Sequence, residues 1–331
     1  MCIHRYNNII SIENLLLTWE KFLRGKKRKK DVVQFQAELA KNIVNLYLDL
    51  KNKTYVHGSY SVFNISDPKS RIIHKATVRD RVLHHLIYKE LYWYFHDRFI
   101  HDSYSCRVGK GTHRAMNRFR SFARKASKNH TKTCFVLKCD IKKFFANIDH
   151  DILMKILGRY ITDTNIIWLV NQVVSSFNTT VPRIGLPLGN LTSQLLANVY
   201  MHEFDMYIKQ ELRIKYYIRY ADDFVIMSQG KDWLKSILPK IKEFLFNNLR
   251  LQLHPDKISI ETLASGIDFL GWVHFPEYRT LRTNTKRRML ERIKKVSGKR
   301  ETIVSYLGLM SHGNTIELQK EAENLFSSHS F

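Results

Sequence analysis

Proline, glycine and serine nowhere gather into a linker, no segment repeats, and no apolar run approaches the ~20 residues that a spanning helix needs. A string of tethered domains, a solenoid and a membrane-spanning protein are thereby set aside. Cysteine is sparse. Cys2, Cys106, Cys134 and Cys139 show neither CxxC pairing nor zinc-ligand spacing, so they read as reduced thiols and not as a disulfide framework. The first residues, MCIHRYNNII, lack the basic-then-apolar pattern of an export signal, and a cytoplasmic location is expected. Acidic residues are few: 30 Asp and Glu stand against 54 Lys and Arg, a formal charge of +24 with a pI near 9.8. A surface this basic repels itself unless a polyanion neutralises it. Nucleic acid is the expected partner, and an anionic membrane surface is the rival.

What is present is a core-forming chain, 44% apolar over 331 residues. Residues 11–50 have helical periodicity, broken by the basic run Arg24-Gly-Lys-Lys-Arg-Lys-Lys30, which fits a solvated loop or an RNA contact. Residues 78–99 are helical again, and their aromatics, Tyr88, Tyr92, Trp93, Tyr94 and Phe95, read mostly as core. Thr133–Asp140 is a short apolar run ending in an acid, as in a buried strand. An amphipathic helix is expected over His150–Ile161 with Ile152, Ile156 and Tyr160 on one face, and a longer one over 191–212 with Phe204, Ile208 and Leu212 in line. Lys215–Met227 has two β-rich arms around Ala221-Asp222-Asp223, which predicts a hairpin with these three at its turn. A helix over Trp233–Leu249, strands near Ile258–Glu261 and Phe269–Phe275, and a helical tail over 283–327 complete the pattern. That order describes an α+β fold with an antiparallel sheet.

Three acids in this pattern carry a chemistry. Transfer of a nucleotide to a 3′-hydroxyl requires two divalent ions about 4 Å apart, clamping the attacking and leaving oxygens. Mg²⁺ takes oxygen ligands and is held by a few carboxylates together with substrate phosphates. Asp140 at a strand end and Asp222-Asp223 at a hairpin tip could meet on adjacent strands and supply them. An Asp-Asp pair alone is most often just a turn. Here apolar arms, Tyr216–Tyr220 and Phe224–Met227, would bury the hairpin's base and leave the acids crowded at its tip, where they repel unless a cation lies between them.

These residues also carry a resemblance. Tyr220-Ala-Asp-Asp-Phe224 resembles the YxDD box of reverse transcriptases, and Lys138-Cys-Asp-Ile-Lys-Lys-Phe-Phe-Ala-Asn-Ile-Asp-His150 resembles their first catalytic box. Gly185-Leu-Pro-Leu-Gly-Asn-Leu-Thr-Ser-Gln194 is similar to the box between them. Lys69-Ser-Arg-Ile-Ile73, Arg79-Asp-Arg81 and Ser105–His113 match finger segments, while Leu253-His-Pro-Asp-Lys257 and Phe269-Leu-Gly-Trp272 resemble later palm boxes and the primer grip. The boxes run in order from about residue 60 to 310. Group II intron and retroviral enzymes typically carry Gln after Leu-Pro; Leu188 stands there instead, as in reverse transcriptases of diversity-generating retroelements. Those enzymes copy a template RNA with frequent errors opposite adenine, lack RNase H and endonuclease domains, and act with a small basic accessory protein.

The resemblance implies a right-hand polymerase fold. Residues 1–54 would be a basic helical extension, 55–132 with part of 160–185 the fingers, 133–280 the palm and 281–331 a short helical thumb. It implies Asp140, Asp222, Asp223 and the Ile141 carbonyl as ligands of two Mg²⁺ ions, with Mn²⁺ as a substitute. Phe145, beside Phe144, is implied as the gate against a ribonucleotide's 2′-hydroxyl, or else is a core ring. Lys69 and Arg71 would grip the triphosphate or the template phosphates. Leu188, Gly189 and Gln194 would lie near the nucleotide, with Gly185 and Asn190 in the same loop. Lys257 would be the acid that protonates pyrophosphate, or a surface lysine. Phe269, Leu270, Gly271 and Trp272 would hold the primer. The implied partners are template RNA, a DNA or RNA primer, dNTPs and the accessory protein, with no membrane. Ala146 and Lys143 depart from relatives that carry Asp and Gly. A defence-associated reverse transcriptase, a group II intron maturase and a non-catalytic RNA-binding scaffold are the competing readings; the intact acidic triad disfavours the last.

Overall fold

The computed structural model describes residues 5–66, 70–295 and 300–327, and it divides into two compact units. The first unit comprises residues up to His101, Ile141–Arg213 and Ile241–Gln252; the second comprises Asp102–Asp140, Ile214–Lys240 and Leu253 onward. The stretch 133–280 therefore contributes to both. No helix among the described residues is long and apolar enough to cross a membrane.

The first unit is mainly helical. Helix Ile12–Phe22 starts at Ser11, whose hydroxyl accepts the Asn14 amide, and buries Leu15, Trp19 and Phe22 at helical spacing. The basic run after it forms an exposed turn leading into helices Lys30–Ala37 and Leu39–Lys51. Helix Val78–His96 packs against both Ile12–Phe22 and Leu191–Met206. Because it is covered on several sides it buries residues around its circumference, Tyr92 and Phe95 among them, and leaves Trp93 exposed. The strands β1 (Ser61–Ile65) and β2 (Arg71–Lys75) pair antiparallel beside it. Asp80 anchors the connection, accepting hydrogen bonds from the Tyr55 hydroxyl at 2.7 Å, the Thr77 hydroxyl at 2.5 Å and the Gly58 amide at 3.1 Å.

Two expected helices differ in detail. The one at 150 runs His150–Tyr160, and its buried stripe is Leu153, Ile156 and Leu157; Ile152 and Tyr160 lie at the margin. The one at 191 is α-helical only to Met206 and widens to a π-turn over Tyr207–Glu211, so Leu212 drops out of line while Phe204 and Ile208 remain buried.

The second unit is built on a sheet of four antiparallel strands: β3 (Phe135–Asp140), β4 (Tyr217–Tyr220), β5 (Asp223–Ser228) and β6 (Ser259–Thr262), in the order β4-β5-β3-β6. Val136, Ile218, Val225 and Met227 share one face by strand alternation. Ala115, Phe119, Phe122 and Ala126 from one side of helix Thr112–Ala126 cover them. A second antiparallel sheet joins β7 (Ile267–Phe269), β8 (Trp272–His274) and β9 (Arg279–Leu281). The single strand expected near 269–275 is thus a hairpin, turned at Leu270 (φ 55°) and Gly271 (φ 86°). Two positive φ values in a two-residue turn match the twist of the paired strands. Helices Thr283–Lys295, Arg300–Met310 and Ile316–Ser327 follow, and Met289, Ile293, Met310 and Leu318 close a second core over Trp272. Gly313 is required there: a Cβ would lie 2.0 Å from the Trp272 ring. Cys106, Cys134 and Cys139 are free thiols, and Cys2 falls outside the described residues.

Candidate active site

The three acids sit together in the second unit. Asp140 is the last residue of β3 and Asp223 the first of β5, and the two are direct partners in the antiparallel register. Directly opposed residues have Cα atoms only ~4.5–5.5 Å apart with side chains on one face. Tyr220 pairs with Asp223 across the turn, so Ala221 and Asp222 alone form the tip, with Ala221 left-handed at φ 55°. Asp223 is therefore a strand residue and not, as expected, part of the turn.

This tip is braced from beneath. Arg219, on β4, is 1% exposed and donates from Nη1 to the Ala221 carbonyl at 3.1 Å. Its backbone is held on both sides: its amide donates to the Asp102 carbonyl at 3.0 Å and its carbonyl accepts the Tyr104 amide at 2.9 Å. Asp102 in turn takes a two-pronged contact from Arg118, at 2.7 and 3.3 Å. The sequence held one sign of Arg219's role, an arginine in an otherwise apolar strand arm.

The electrostatics reflect crowding. Burial, then the Asp222 and Asp140 carboxylates, push the Asp223 carboxyl up to about 7, and only Lys138 opposes the shift. Lys138 is two residues before Asp140 and shares its face. Asp140 is 8% exposed, and its Oδ2 accepts a hydrogen bond from Lys257 Nζ at 2.6 Å. The Lys257 segment hangs on the same residue, because the His254 amide donates to the Asp140 carbonyl at 2.8 Å. Among the described residues no three carboxylate, imidazole or thiolate groups converge closely enough to enclose a metal ion as they stand. The donor set nonetheless suits Mg²⁺: oxygen ligands only, crowded enough that burial and then their mutual repulsion raise the Asp223 carboxyl.

In the first unit a second group of candidates comes together. Lys143 is left-handed (φ 46°), a conformation glycine adopts freely, and leads into a single turn over Phe144–Asn147. Phe144 is buried and Phe145 half-buried, their rings edge-on at 5.4 Å. The Phe145 carbonyl accepts the Leu186 amide at 2.8 Å, and the Ile148 carbonyl accepts the Gly185 amide at 2.8 Å. The far end of this loop lies on β2. The His74 amide donates to the Leu188 carbonyl at 2.9 Å, and Asn190 Nδ2 donates to the His74 carbonyl at 3.3 Å. Gly189 (φ 109°) could carry no side chain, since a Cβ would meet Ile73 Cγ2 at 2.7 Å. Leu188 is half-buried; Gln194, one turn into the next helix, is exposed, as is Arg71 on β2. Lys69 lies outside the described residues. Of the two residues that seat this loop, Ile73 entered the sequence reading only as the end of a finger segment, and His74 not at all.

Residues 65–274 match the family described as Reverse transcriptase (RNA-dependent DNA polymerase). The chain is a member of that family. It is similar to Protein YkfC of Escherichia coli K12, 24% identical over 243 residues, covering 62% of this chain and 63% of that protein. It is also similar to the Group II intron-encoded protein LtrA of Lactococcus lactis, 24% identical over 222 residues, which are 45% of this chain and 35% of LtrA. The Retron Ec83 reverse transcriptase of Escherichia coli is 30% identical over 152 residues, 42% of this chain and 47% of that enzyme. The chain thus spans about a third to two thirds of these relatives. Among solved structures, telomerase from Candida albicans matches with a TM-score of 0.53 at 12% identity, covering 84% of this chain and 56% of that one. At that identity the likeness concerns fold: mixed helices and antiparallel sheets of the right-hand polymerase type.

The primer-grip candidates divide by burial. Phe269 and Trp272 are register partners at the end of the β7–β8 hairpin and are each 1% exposed. Phe269 stacks on Phe119 at 5.5 Å, and Trp272 belongs to the core beneath the terminal helices. They fix the turn, and Leu270 and Gly271 present it.

Proposed function

We propose that this chain is an RNA-directed DNA polymerase that copies a template RNA for a diversity-generating retroelement, with frequent errors opposite template adenine. The observation that carries the polymerase reading is the register pairing of Asp140 with Asp223, with Asp222 beside them on a two-residue turn. Asp140, Asp222, Asp223 and the Ile141 carbonyl would hold two Mg²⁺ ions, which supply charge neutralisation at the attacking 3′-hydroxyl and the leaving pyrophosphate. The chain's own groups do the rest. Lys257, released from Asp140, protonates the pyrophosphate as the new O–P bond forms and the old one breaks. Phe145 stands against the sugar edge and disfavours a 2′-hydroxyl, which would lose its water there. Arg71, with Lys69, takes the triphosphate, and Leu188, Gly189 and Gln194 border the base pair. The turn Leu270-Gly271 steadies the primer.

The retroelement reading rests on Leu188, whose side chain offers no hydrogen bond where many relatives carry Gln. Template RNA, a primer and dNTPs are the partners. A small basic accessory protein is the further partner, and RNA held by both would offset the repulsion between two basic chains. A bacterial defence-associated or group II intron-type reverse transcriptase is the second reading, the latter supported by the similarity to a group II intron-encoded protein. Primer extension on a defined RNA template, with the cDNA sequenced, is the test. No DNA synthesis with either Mg²⁺ or Mn²⁺ overturns the polymerase reading, and a flat error spectrum overturns the retroelement one.

A further inference from the structure

A cavity of about 310 Å³ lies in the second unit, and none of the three acids, Ala221, Leu270 or Gly271 lines it. Helix Thr112–Ala126 contributes Arg120, the β8–β9 connection contributes Phe275, Glu277 and Tyr278, β9 begins with Arg279, and the loop between the last two helices contributes His312 and Asn314. A cavity of this volume is at the lower end of the range for small-molecule sites, roughly 300–1,000 Å³.

Glu277 is the one acidic residue in the lining, against Arg120 and Arg279. Among the described residues neither Arg120 nor Arg279 has a carboxylate within ion-pairing distance. Arg120 donates to the Glu277 backbone carbonyl at 3.1 Å, and the Glu277 carboxylate lies 3.9 Å from His130 instead. Arg279 is fixed by the His312 carbonyl and by Asn117 Oδ1, the latter at 3.1 Å, while its Nη1 has no hydrogen-bond partner. Burial, then the Arg120 guanidinium, pull the Arg279 pKa below its ordinary value. Two guanidinium groups held this way call for an anion. The aromatic wall narrows the choice. Tyr278 is 47% exposed and stacks on Phe275 at 4.8 Å, 22° from parallel, so the ring is buttressed while nearly half of the residue stays open.

We infer that this cavity binds a nucleotide of single-stranded RNA, its base stacked on Tyr278 and its phosphate between Arg120 and Arg279. A buttressed aromatic beside paired guanidinium groups is how single strands are gripped without reading sequence. The site lets the enzyme hold RNA outside the segment being copied. It is independent of the retroelement assignment.

The test uses the full chain and a short fluorescent oligoribonucleotide, titrated by anisotropy. Tyr278→Ala, which leaves charge unchanged, is expected to weaken binding about fivefold or more. Arg120→Glu is expected to weaken it further than Lys125→Glu, a charge reversal on the same helix outside the cavity. Ultraviolet cross-linking is expected to map to the peptide holding Tyr278. Competition by the oligonucleotide but not by adenosine monophosphate assigns the ligand to RNA; equal competition by the mononucleotide overturns that and leaves a free-nucleotide site. Unchanged affinity in stably folded Tyr278→Ala, or equal displacement by an oligoglutamate peptide, overturns the inference. Synthesis on a short primed template is measured in parallel. It is expected to be unchanged in both cavity variants, so its loss would point to the catalytic reading and not to this one.

Discussion

The ammonium of Lys257 lies 2.6 Å from Oδ2 of Asp140, on a carboxylate that a metal ion would need. Lysine and metal therefore compete for one oxygen. Lys257→Met is expected to lower the melting temperature without Mg²⁺, because the crowded acids lose a counter-charge, and to enlarge the stabilisation that Mg²⁺ gives. If Lys257 is also the proton donor, kcat falls by about 10²-fold or more. Thermal melts across a Mg²⁺ series, beside single-turnover rates, separate the two effects. A melting curve that responds to Mg²⁺ as the parent's does would remove the competition.

Asp222→Asn is expected to abolish DNA synthesis and leave RNA affinity within about twofold. One ligand charge weakens a two-metal clamp, whereas RNA affinity arises from many Lys and Arg contacts. Primer extension and a salt-titrated binding curve on the same preparation decide it; retained synthesis would reject the metal role.

Phe145 is half-buried and Phe144 is buried, so their truncations should part company. Phe144→Ala is expected to cost about 3–5 kcal/mol of stability. Phe145→Ala should cost less and admit ribonucleotides, raising their incorporation about tenfold or more. If Phe145→Ala discriminates as the parent does, the ring is only packing.

For Leu188→Gln the backbone need not change, since the Leu188 carbonyl already accepts the His74 amide. The expected outcome is a lower error rate opposite template adenine, because one polar contact worth about 1 kcal/mol rewards the correctly placed pair. Sequenced cDNA from both proteins is the readout, and an unaltered spectrum in a folded variant rules Leu188 out as a fidelity determinant.

Acid should unfold the protein through buried imidazoles. Burial, helped by neighbouring His57, pushes His84 down to about 3, and burial pushes His274 down to about 4. Both folded values lie below the unfolded value of about 6.5, so the unfolded chain takes up the protons first and stability falls as pH drops below it. The loss is on the order of 2 kcal/mol per imidazole at pH 5. Chemical melts at pH 7.5 and pH 5 should differ accordingly, and His84→Gln should flatten the difference.

The four strands of the larger sheet, helices such as Val78–His96 and the hairpin bearing Asp222 were legible in the sequence because their signals are local, whereas the β1–β2 pair and helix Thr112–Ala126 were not read from it. The apolar run ending at Asp140 and the apolar arms around Ala221-Asp222 need no knowledge of partners. What stayed hidden depends on the fold. The π-turn at Tyr207 and the hairpin inside 267–274 break a periodicity that reads as continuous. The seat of the Leu188 loop on Ile73 and His74 joins two stretches with no chemical cue in common. Arg219 was visible only as an oddity until its bond to the Ala221 carbonyl gave it a purpose.

The four-stranded sheet also sets a clock. β3 is an inner strand, yet both neighbours arrive later in the chain, and Asp140 meets Lys257 from 117 residues away. Contacts so distant form late, after local helices have collapsed, and long-range strand pairing is slow. A nascent chain that has emerged only as far as β5 would display the acids without Lys257 to quiet them and with the β6 side of β3 unpaired. The acidic cluster is thus left without its lysine until the segment through β6 has emerged, and until β6 docks, β3 is an open edge that a chaperone or another chain can cover.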